Sequence, residues 1–135
     1  MTIQVEKRRY TRIIFNEQNR VQAVIAVQDR QAYEQQLSVS VLNMSEGGIQ
    51  ISVERKKFQE LQQGDTVLLS SLRGIPDLGS LRDIPMQVIW IMDNEYLEHI
   101  LLGMSFSRLS EEQRECLRFF VENRLALALK KNMGK

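Results

Sequence analysis

Two short polar stretches contain the residue types in this sequence that could bind a charged ligand. The first holds three arginines within five residues, at Arg8, Arg9 and Arg12. A guanidinium group can donate two parallel hydrogen bonds to a phosphate and can stack flat on a planar base, and lysine does neither as well. This cluster therefore suits a ligand that carries both phosphates and bases.

The second stretch is a polar, glycine-rich turn between two strand-like runs. The side-chain amide of Asn43 can pair with the edge of a base, and the hydroxyl of Ser45 can meet a phosphate or a base. Gly48 would leave room for the ligand or for a positive backbone angle. Because a carboxylate would repel an anionic ligand, we expect the side chain of Glu46 to face solvent.

Together, the two stretches resemble the signature of PilZ domains, which are bacterial receptors for cyclic di-GMP. The family pattern is Arg-Arg-x-x-Arg followed by Asp/Asn-x-Ser-x-x-Gly. This sequence fills every fixed position, at Arg8, Arg9, Arg12, Asn43, Ser45 and Gly48. The resemblance implies that these residues bind cyclic di-GMP, with Arg8 and Arg12 as the first choices for direct contacts. In an extended segment the side chain of Arg9 would point the opposite way from that of Arg8, so Arg9 is not a first choice.

Each stretch also has a simpler structural explanation. A cluster of arginines near a chain start is commonly a solvated tail, and Asn-x-Ser-x-x-Gly describes many hairpin turns in which Asn caps the backbone. The surroundings favour the resemblance, because strand-like runs flank the second motif and a further strand and a helix follow it. The resemblance covers most of the 135 residues.

Composition indicates one domain with an ordinary core and a local site for anions. A hydrophobic fraction of 43% can fill a core without a metal or a disulfide. The 18 Lys and Arg residues nearly balance the 17 Asp and Glu residues, so a preference for anions must come from local clustering. The candidate cluster spans residues 7–12.

Several classes of function find no support in these residues. The single cysteine, Cys116, and the single histidine, His99, complete neither a disulfide nor a metal site, so we expect no metal and no cofactor. No nucleophile with a base, P-loop or dinucleotide fingerprint is recognisable, so we expect no enzyme. We interpret His99 as a partly buried strand residue. We interpret Trp90 as a core residue, with the alternative that a partly exposed edge of its ring stacks on a base.

Residues 1–12 lack the apolar segment of a signal peptide, and no stretch approaches the roughly twenty apolar residues of a membrane span. We therefore expect a cytoplasmic protein without a membrane span. The expected single domain has a flexible N-terminal segment at 1–12, a barrel at 13–109 and a helix at 110–131.

Alternating apolar residues predict six β-strands. They lie within residues 21–27, 39–41, 49–53, 67–69, 86–92 and 100–106. No segment between them is long enough for a helical crossover, which favours an antiparallel barrel or sandwich. The PilZ resemblance implies a six-stranded antiparallel barrel with a C-terminal helix. The connections predict a helical turn at 58–61, an extended loop at 74–79 and a hairpin tip at 93–95.

The last quarter of the chain predicts a long helix. Ser110 and Gln113 have the spacing of a capping box, which places the helix at residues 111–131. One face carries Leu117 and Phe120 and should pack across an open part of the barrel. Residues 125–129 are apolar on all sides, which indicates either deeper burial or a second apolar surface for a homodimer or a partner.

The resemblance implies a cyclic di-GMP receptor in which the ligand orders the N-terminal arginine segment over the barrel. One ligand or a stacked pair could bind, and Lys7 adds a positive group that a pair could use. Such a receptor would signal to a downstream protein, in a process such as motility, adhesion or matrix production. One alternative is a PilZ-fold adaptor that binds protein without nucleotide. Another is a barrel for single-stranded nucleic acid, which the lack of interleaved aromatic residues disfavours.

Overall fold

The computed structural model of the chain describes residues 11–15, 20–28, 34–57, 61–94 and 96–133. These ranges contain seven strands, two 3₁₀ turns and one long helix. The strands are β1 (Ile13–Ile14), β2 (Gln22–Gln28), β3 (Glu34–Met44), β4 (Gly48–Glu54), β5 (Thr66–Arg73), β6 (Ile84–Met92) and β7 (His99–Phe106). The helix is α1 (Glu111–Met133), and the 3₁₀ turns are Arg55–Lys57 and Pro76–Leu78.

Strands β2 to β7 form a closed antiparallel barrel. Their order is β3-β2-β5-β6-β7-β4, and the pairing of β4 with β3 closes the ring. At one edge, β3 pairs first with β2 and then, at its end, with β1. The predicted six-stranded antiparallel barrel is confirmed. β1 is an addition that the sequence did not predict, because two residues are too short to show alternation.

Inward-facing aliphatic side chains fill the barrel. Each strand contributes every second residue, as the period of a strand requires. The largest fully buried residues of the strands are Ile25, Met44, Ile49, Ile51, Leu69, Ile84, Met86, Ile100 and Leu102. The barrel is therefore a packed core, and a ligand must bind on its outer surface.

Helix α1 packs across one opening of the barrel. The backbone N–H of Ser110 donates to Oε1 of Gln113, and the backbone N–H of Gln113 donates to Oγ of Ser110, both at 3.0 Å. Leu117, Phe120 and Val121 are buried. The predicted helix and its capping box are confirmed.

The C-terminal part of α1 runs beyond the barrel. Leu125 is half-buried, whereas Leu127 and Leu129 are 56% and 63% exposed. Of the two alternatives for residues 125–129, deeper burial is wrong, because this helix of 23 residues is about 34 Å long and its buried contacts lie near its start. The second apolar surface remains as the interpretation of this segment.

The connection at 74–79 differs from its prediction. It is folded back rather than extended, because Pro76–Leu78 forms a 3₁₀ turn and both Ile75 and Leu78 are buried. A proline in the first turn favours this conformation through its fixed φ. The helical turn predicted at 58–61 lies mostly outside the described residues.

A clamp formed by Arg55 holds the connection between β6 and β7. Its Nε donates to the Leu97 carbonyl at 2.9 Å, and its Nη2 donates to the Asn94 carbonyl at 2.6 Å. Its Nη1 lies 2.8 Å from a carboxylate oxygen of Asp93. The connection spans residues 93–98 and is longer than the predicted hairpin tip.

His99 is exposed, so the prediction of a partly buried histidine is wrong. It is the first residue of β7 and lies at the rim of the barrel, where a side chain meets water.

Across the described ranges, the structure contains no group of three or more metal-ligating His, Cys, Asp or Glu residues. No helix within them has both the length and the apolar composition needed to cross a membrane.

Candidate ligand-binding site

Two β-bulges turn candidate residues out of the barrel. In β3 the register shifts just before Asn43, which therefore lies opposite Gln50 on the outer surface. In β6 the register shifts just before Trp90, which lies opposite Gly103. An extra residue in one strand re-aims the side chains that follow it. The interpretation of Trp90 as a core residue is wrong for this reason.

The strand register joins these outward residues into a row across four strands. This outer row consists of Asn43, Gln50, Gly103 and Trp90. Since neighbouring strands are about 4.8 Å apart, the row spans roughly 14 Å. The Nδ2 group of Asn43 donates to Oε1 of Gln50 at 2.7 Å. The Trp90 indole lies over the bare backbone of Gly103, where a Cβ would overlap the ring.

Strand β1 brings Arg12 to the Asn43 end of the outer row. Ile13 pairs with Met44, so Arg12 lies next to the turn that follows β3. The Nη1 group of Arg12 donates to Oδ1 of Asn43 at 2.7 Å. The last arginine of the first motif therefore contacts the first residue of the second motif.

Phe15 anchors β1 to the rest of the molecule. Its backbone N–H donates to the Leu42 carbonyl at 2.9 Å. Its ring packs against Phe120 of α1, with 6.4 Å between the ring centroids, and the guanidinium of Arg124 lies 5.2 Å from the Phe120 centroid. The position of Arg12 thus depends on the packing of α1.

Backbone hydrogen bonds fix the turn between β3 and β4. The Ser45 N–H donates to the Gly48 carbonyl at 2.9 Å, and the Gly47 N–H donates to Oγ of Ser45 at 3.1 Å. The Phe106 N–H donates to the Gly47 carbonyl at 2.9 Å. Ser45 is only 3% exposed. Its hydroxyl can accept from Gly47 and still donate its own proton to a ligand.

Gly48 is required by the close approach of β7. A Cβ on Gly48 would overlap the backbone carbonyl of Met104. Its φ is not positive, and the described glycines with positive φ are Gly64 and Gly74. The predicted positive backbone angle is therefore wrong. That Gly48 also leaves room for a ligand stays a prediction.

Trp90 and Gly103 of the outer row, the turn and the start of α1 border a cleft of about 430 Å³. This volume lies in the usual range for small-ligand sites. The polar and aromatic groups that line it come from Arg12, Ser45, Glu46, Trp90, Ser105, Phe106 and Arg114. The cleft thus combines guanidinium groups, a hydroxyl-bearing turn and aromatic rings.

An ion pair holds the carboxylate of the cleft. Oε1 of Glu46 lies 3.5 Å from Nε of Arg118, and Nη1 of Arg118 lies 2.8 Å from Oε1 of Glu115. The Glu46 side chain is 26% exposed, so the prediction that it faces solvent is wrong. Because Arg118 offsets its charge, Glu46 repels an anion in the cleft less than a free carboxylate would.

Three of the six predicted ligand residues line this cleft, namely Arg12, Ser45 and Gly48, and Asn43 lies beside it through its hydrogen bond with Arg12. The other two, Arg8 and Arg9, lie outside the described residues. Sequence reasoning missed Arg114 as a residue of the cleft, and it considered Trp90 only as a core residue whose exposed edge could stack on a base. Gly103 was a usable signal for Trp90, because a glycine inside a strand often marks the close approach of another group. Arg114 carried no such signal.

A family profile described as the PilZ domain matches residues 6–123. The chain belongs to the PilZ domain family. The match contains both motifs and the whole barrel and ends within α1. No curated protein matches the chain significantly.

Three solved structures illustrate the fold that this PilZ chain shares. The PilZ domain with c-di-GMP of YcgR from Escherichia coli is 19% identical, with a TM-score of 0.63 over 93% of this chain and 97% of that one. The MrkH–c-di-GMP complex of K. pneumonia is 12% identical, with a TM-score of 0.68 over 92% of this chain and 55% of that one.

The inhibitor of motility MotI/DgrA of Bacillus subtilis is 17% identical, with a TM-score of 0.60 over 88% of this chain and 52% of that one. The PilZ chain thus spans nearly all of the YcgR domain but about half the length of MrkH and MotI/DgrA. At these identities the similarity establishes the fold.

Proposed function

We propose that this PilZ chain is a receptor for cyclic di-GMP rather than an enzyme. The observation that carries the proposal is the 2.7 Å hydrogen bond between Arg12 and Asn43, which joins the two motifs beside one cleft. The structures of YcgR and MrkH with c-di-GMP support it, since both proteins have a similar fold.

The cleft offers groups that match each part of the ligand. Cyclic di-GMP carries two phosphodiester anions and two guanines, and each guanine presents O6 and N7 as adjacent acceptors. A guanidinium has five N–H donors in a planar fork, and Arg12 lines the cleft. A bidentate contact from Arg12 to a guanine or a phosphate contributes about 1–3 kcal/mol. The hydroxyl of Ser45 supplies a further donor.

Trp90 provides an apolar surface for a base. Its indole is half-buried over Gly103 and lines the cleft. Stacking of a base on an aromatic side chain contributes about 1–3 kcal/mol. We therefore propose that Trp90 stacks on one guanine while Arg12 holds the other guanine or a phosphate.

The N-terminal segment completes the proposed mechanism. Arg8 and Arg9 precede Arg12 by a few residues, and Arg12 lies at the cleft. We propose that both contact the bound ligand and that the ligand thereby orders residues 1–12 over the barrel. Hydrogen exchange at residues 10–13 tests this step. Equal protection with and without saturating ligand would contradict an ordering switch.

Isothermal titration with cyclic di-GMP tests the function itself. We expect a dissociation constant of about 1 μM or tighter, equivalent to about −8 kcal/mol. Linear guanine dinucleotide and cyclic di-AMP should bind more weakly, because the first lacks the closed ring and the second lacks the guanine edge. The fitted stoichiometry distinguishes one ligand from a stacked pair. The absence of both binding heat and a melting-temperature shift, at a ligand concentration a hundredfold above 1 μM, would refute the proposal.

A second function is favoured by the surface of α1. Phe119, Leu127 and Leu129 are 69%, 56% and 63% exposed, which is unusual for large apolar side chains on one helix. We propose that these exposed apolar residues of α1 bind a downstream protein or form a homodimer, which an adaptor could do without nucleotide. Sedimentation velocity with and without cyclic di-GMP tests the homodimer. A parent chain that stays monomeric at all concentrations, with and without ligand, would exclude it.

A further inference from the structure

Arg114 lies on the first turn of α1 and lines the same cleft as Arg12 and the β3–β4 turn. Its backbone N–H donates to the Ser110 carbonyl at 2.9 Å, and the capping box fixes the turn immediately before it. Leu117, one turn later, is fully buried. The backbone of Arg114 is therefore held in a defined position against the barrel.

The dipole of the helix does not stabilise a cation at this position. The start of a helix carries a partial positive charge, which favours Glu111 and Glu112 and disfavours an arginine. Arg118, four residues later, is a neighbour of like charge. Because the helix dipole and the like charge of Arg118 both disfavour a cation here, an anion in the cleft explains the side chain of Arg114 better than the stability of α1 does.

Arg114 also has no carboxylate partner in the part of the chain that the structure describes. The ion pairs there involve Arg55 with Asp93, and Arg118 with Glu46 and Glu115. Arg118 thus already offsets the carboxylate of the cleft, so Glu46 does not compete for Arg114. The exposed guanidinium of Arg114 keeps its donors for a ligand.

We infer that Arg114 is a ligand-binding residue outside both motifs, and that it contacts a phosphate of bound cyclic di-GMP. This inference rests on the proposed function and adds α1 to the site. The ligand then bridges two parts of the molecule, because Arg12 and the turn belong to the barrel edge and Arg114 belongs to the helix. A phosphate satisfies Arg114 as a point charge at the helix start, which a neutral base edge would not do.

The test compares the parent chain with Arg114→Ala and Arg114→Lys in titrations with cyclic di-GMP. Arg108→Ala is the matched control, because Arg108 is an exposed arginine just before α1 that does not line the cleft. We expect Arg114→Ala to weaken binding roughly tenfold, as for a hydrogen bond to a charged group. Arg114→Lys should lose less, since lysine keeps the point charge. Arg108→Ala should bind within about twofold of the parent.

The outcomes separate this inference from the proposed function. A parent chain that does not bind cyclic di-GMP refutes both. A parent chain that binds, together with an Arg114→Ala variant within about twofold of it, overturns the role of Arg114 alone. An equal loss in Arg108→Ala would show a general effect of charge and also overturn it.

A second measurement covers the case in which Arg114→Ala does not fold. The Nε–Hε resonance of Arg114 in the parent chain should shift on addition of cyclic di-GMP, whereas that of Arg108 should not. An unchanged Arg114 resonance at saturation would overturn the inference. The melting temperature of a folded Arg114→Ala variant should match that of the parent, because the exposed side chain has no partner in the described ranges.

Discussion

The two ends of β4 both carry arginines beside a concave surface, yet only one end is suited to an anion. At the Gly48 end, Arg12 and Arg114 line a cleft of about 430 Å³. At the Glu54 end, Arg55 borders a larger depression of about 580 Å³. Volume alone would select the second site.

The partners of the arginines explain the difference. The guanidinium of Arg55 donates to two backbone carbonyls and pairs with Asp93. The carboxylates of Glu54 and Glu98 line the same depression. An anion there would have to displace internal hydrogen bonds and approach two carboxylates. At the other end, Arg12 donates to the side-chain oxygen of Asn43, and Glu46, the one carboxylate among the described residues that line the cleft, is paired with Arg118. The carboxylates that line each surface, rather than its volume, therefore distinguish the two ends of β4.

The largest expected effect tests whether the fold or the ligand requires Gly48. Gly48→Ala should destabilise the chain by about 3 kcal/mol or more in the absence of ligand, because its Cβ would overlap the backbone of β7. Urea unfolding measures this change. Gly79→Ala is the control, since its φ is −63° and its Cβ would lie 3.4 Å from the nearest atom, the Pro76 carbonyl oxygen. Normal stability of Gly48→Ala would show that ligand binding, not β7, requires this glycine.

The next effect tests the geometry of the guanidinium at the cleft. Arg12→Lys should weaken cyclic di-GMP binding by about 2 kcal/mol, because lysine keeps the charge but cannot make bidentate or stacked contacts. Arg8→Lys should behave in the same way if the N-terminal segment contacts the ligand. Arg20→Lys, at an exposed position that does not line the cleft, is the control for the titrations. If Arg8→Lys and Arg12→Lys both kept the parental affinity, the two arginines would act through their charge alone.

At the Glu54 end of β4, we expect the loss of an arginine to lower stability and to leave ligand binding unchanged. Arg55→Met should lower the free energy of unfolding by about 1 kcal/mol, a value reduced by solvent because the side chain is 37% exposed. Its affinity for cyclic di-GMP should equal that of the parent. Lys57→Met, in the same turn and exposed, controls for the loss of a positive charge. Weaker ligand binding in Arg55→Met than in Lys57→Met would contradict the division between the two ends.

The smallest effect concerns the carboxylate of the cleft. Glu46→Gln should tighten binding by about 0.5 kcal/mol, because it removes a negative charge near the ligand, and the gain should decrease at high salt. Arg118→Gln should weaken binding by a similar amount, because it leaves Glu46 without this partner. The double variant should bind as tightly as Glu46→Gln alone, because Arg118 then has no negative charge on residue 46 to offset. Purely additive changes in the cycle would show that the ion pair has no role in binding.

The sequence by itself determined the architecture and the two motifs of this protein. Alternating apolar residues predicted six strands because side chains in a strand point to opposite faces in turn. The capping box predicted the start of α1 because its hydrogen bonds join residues only three positions apart. Both are local rules, and the family motif added the residues expected to bind the ligand.

The tertiary structure decided which residues face the cleft. Strict alternation would place Asn43 and Trp90 inside the barrel, and the bulges in β3 and β6 turn both outward. A bulge depends on how two strands pair, so it leaves no period in either strand alone. For the same reason, the sequence could not reveal that α1 brings Arg114 to the cleft or pairs Arg118 with Glu46. These contacts join distant segments, and only the packing of the helix on the barrel defines them.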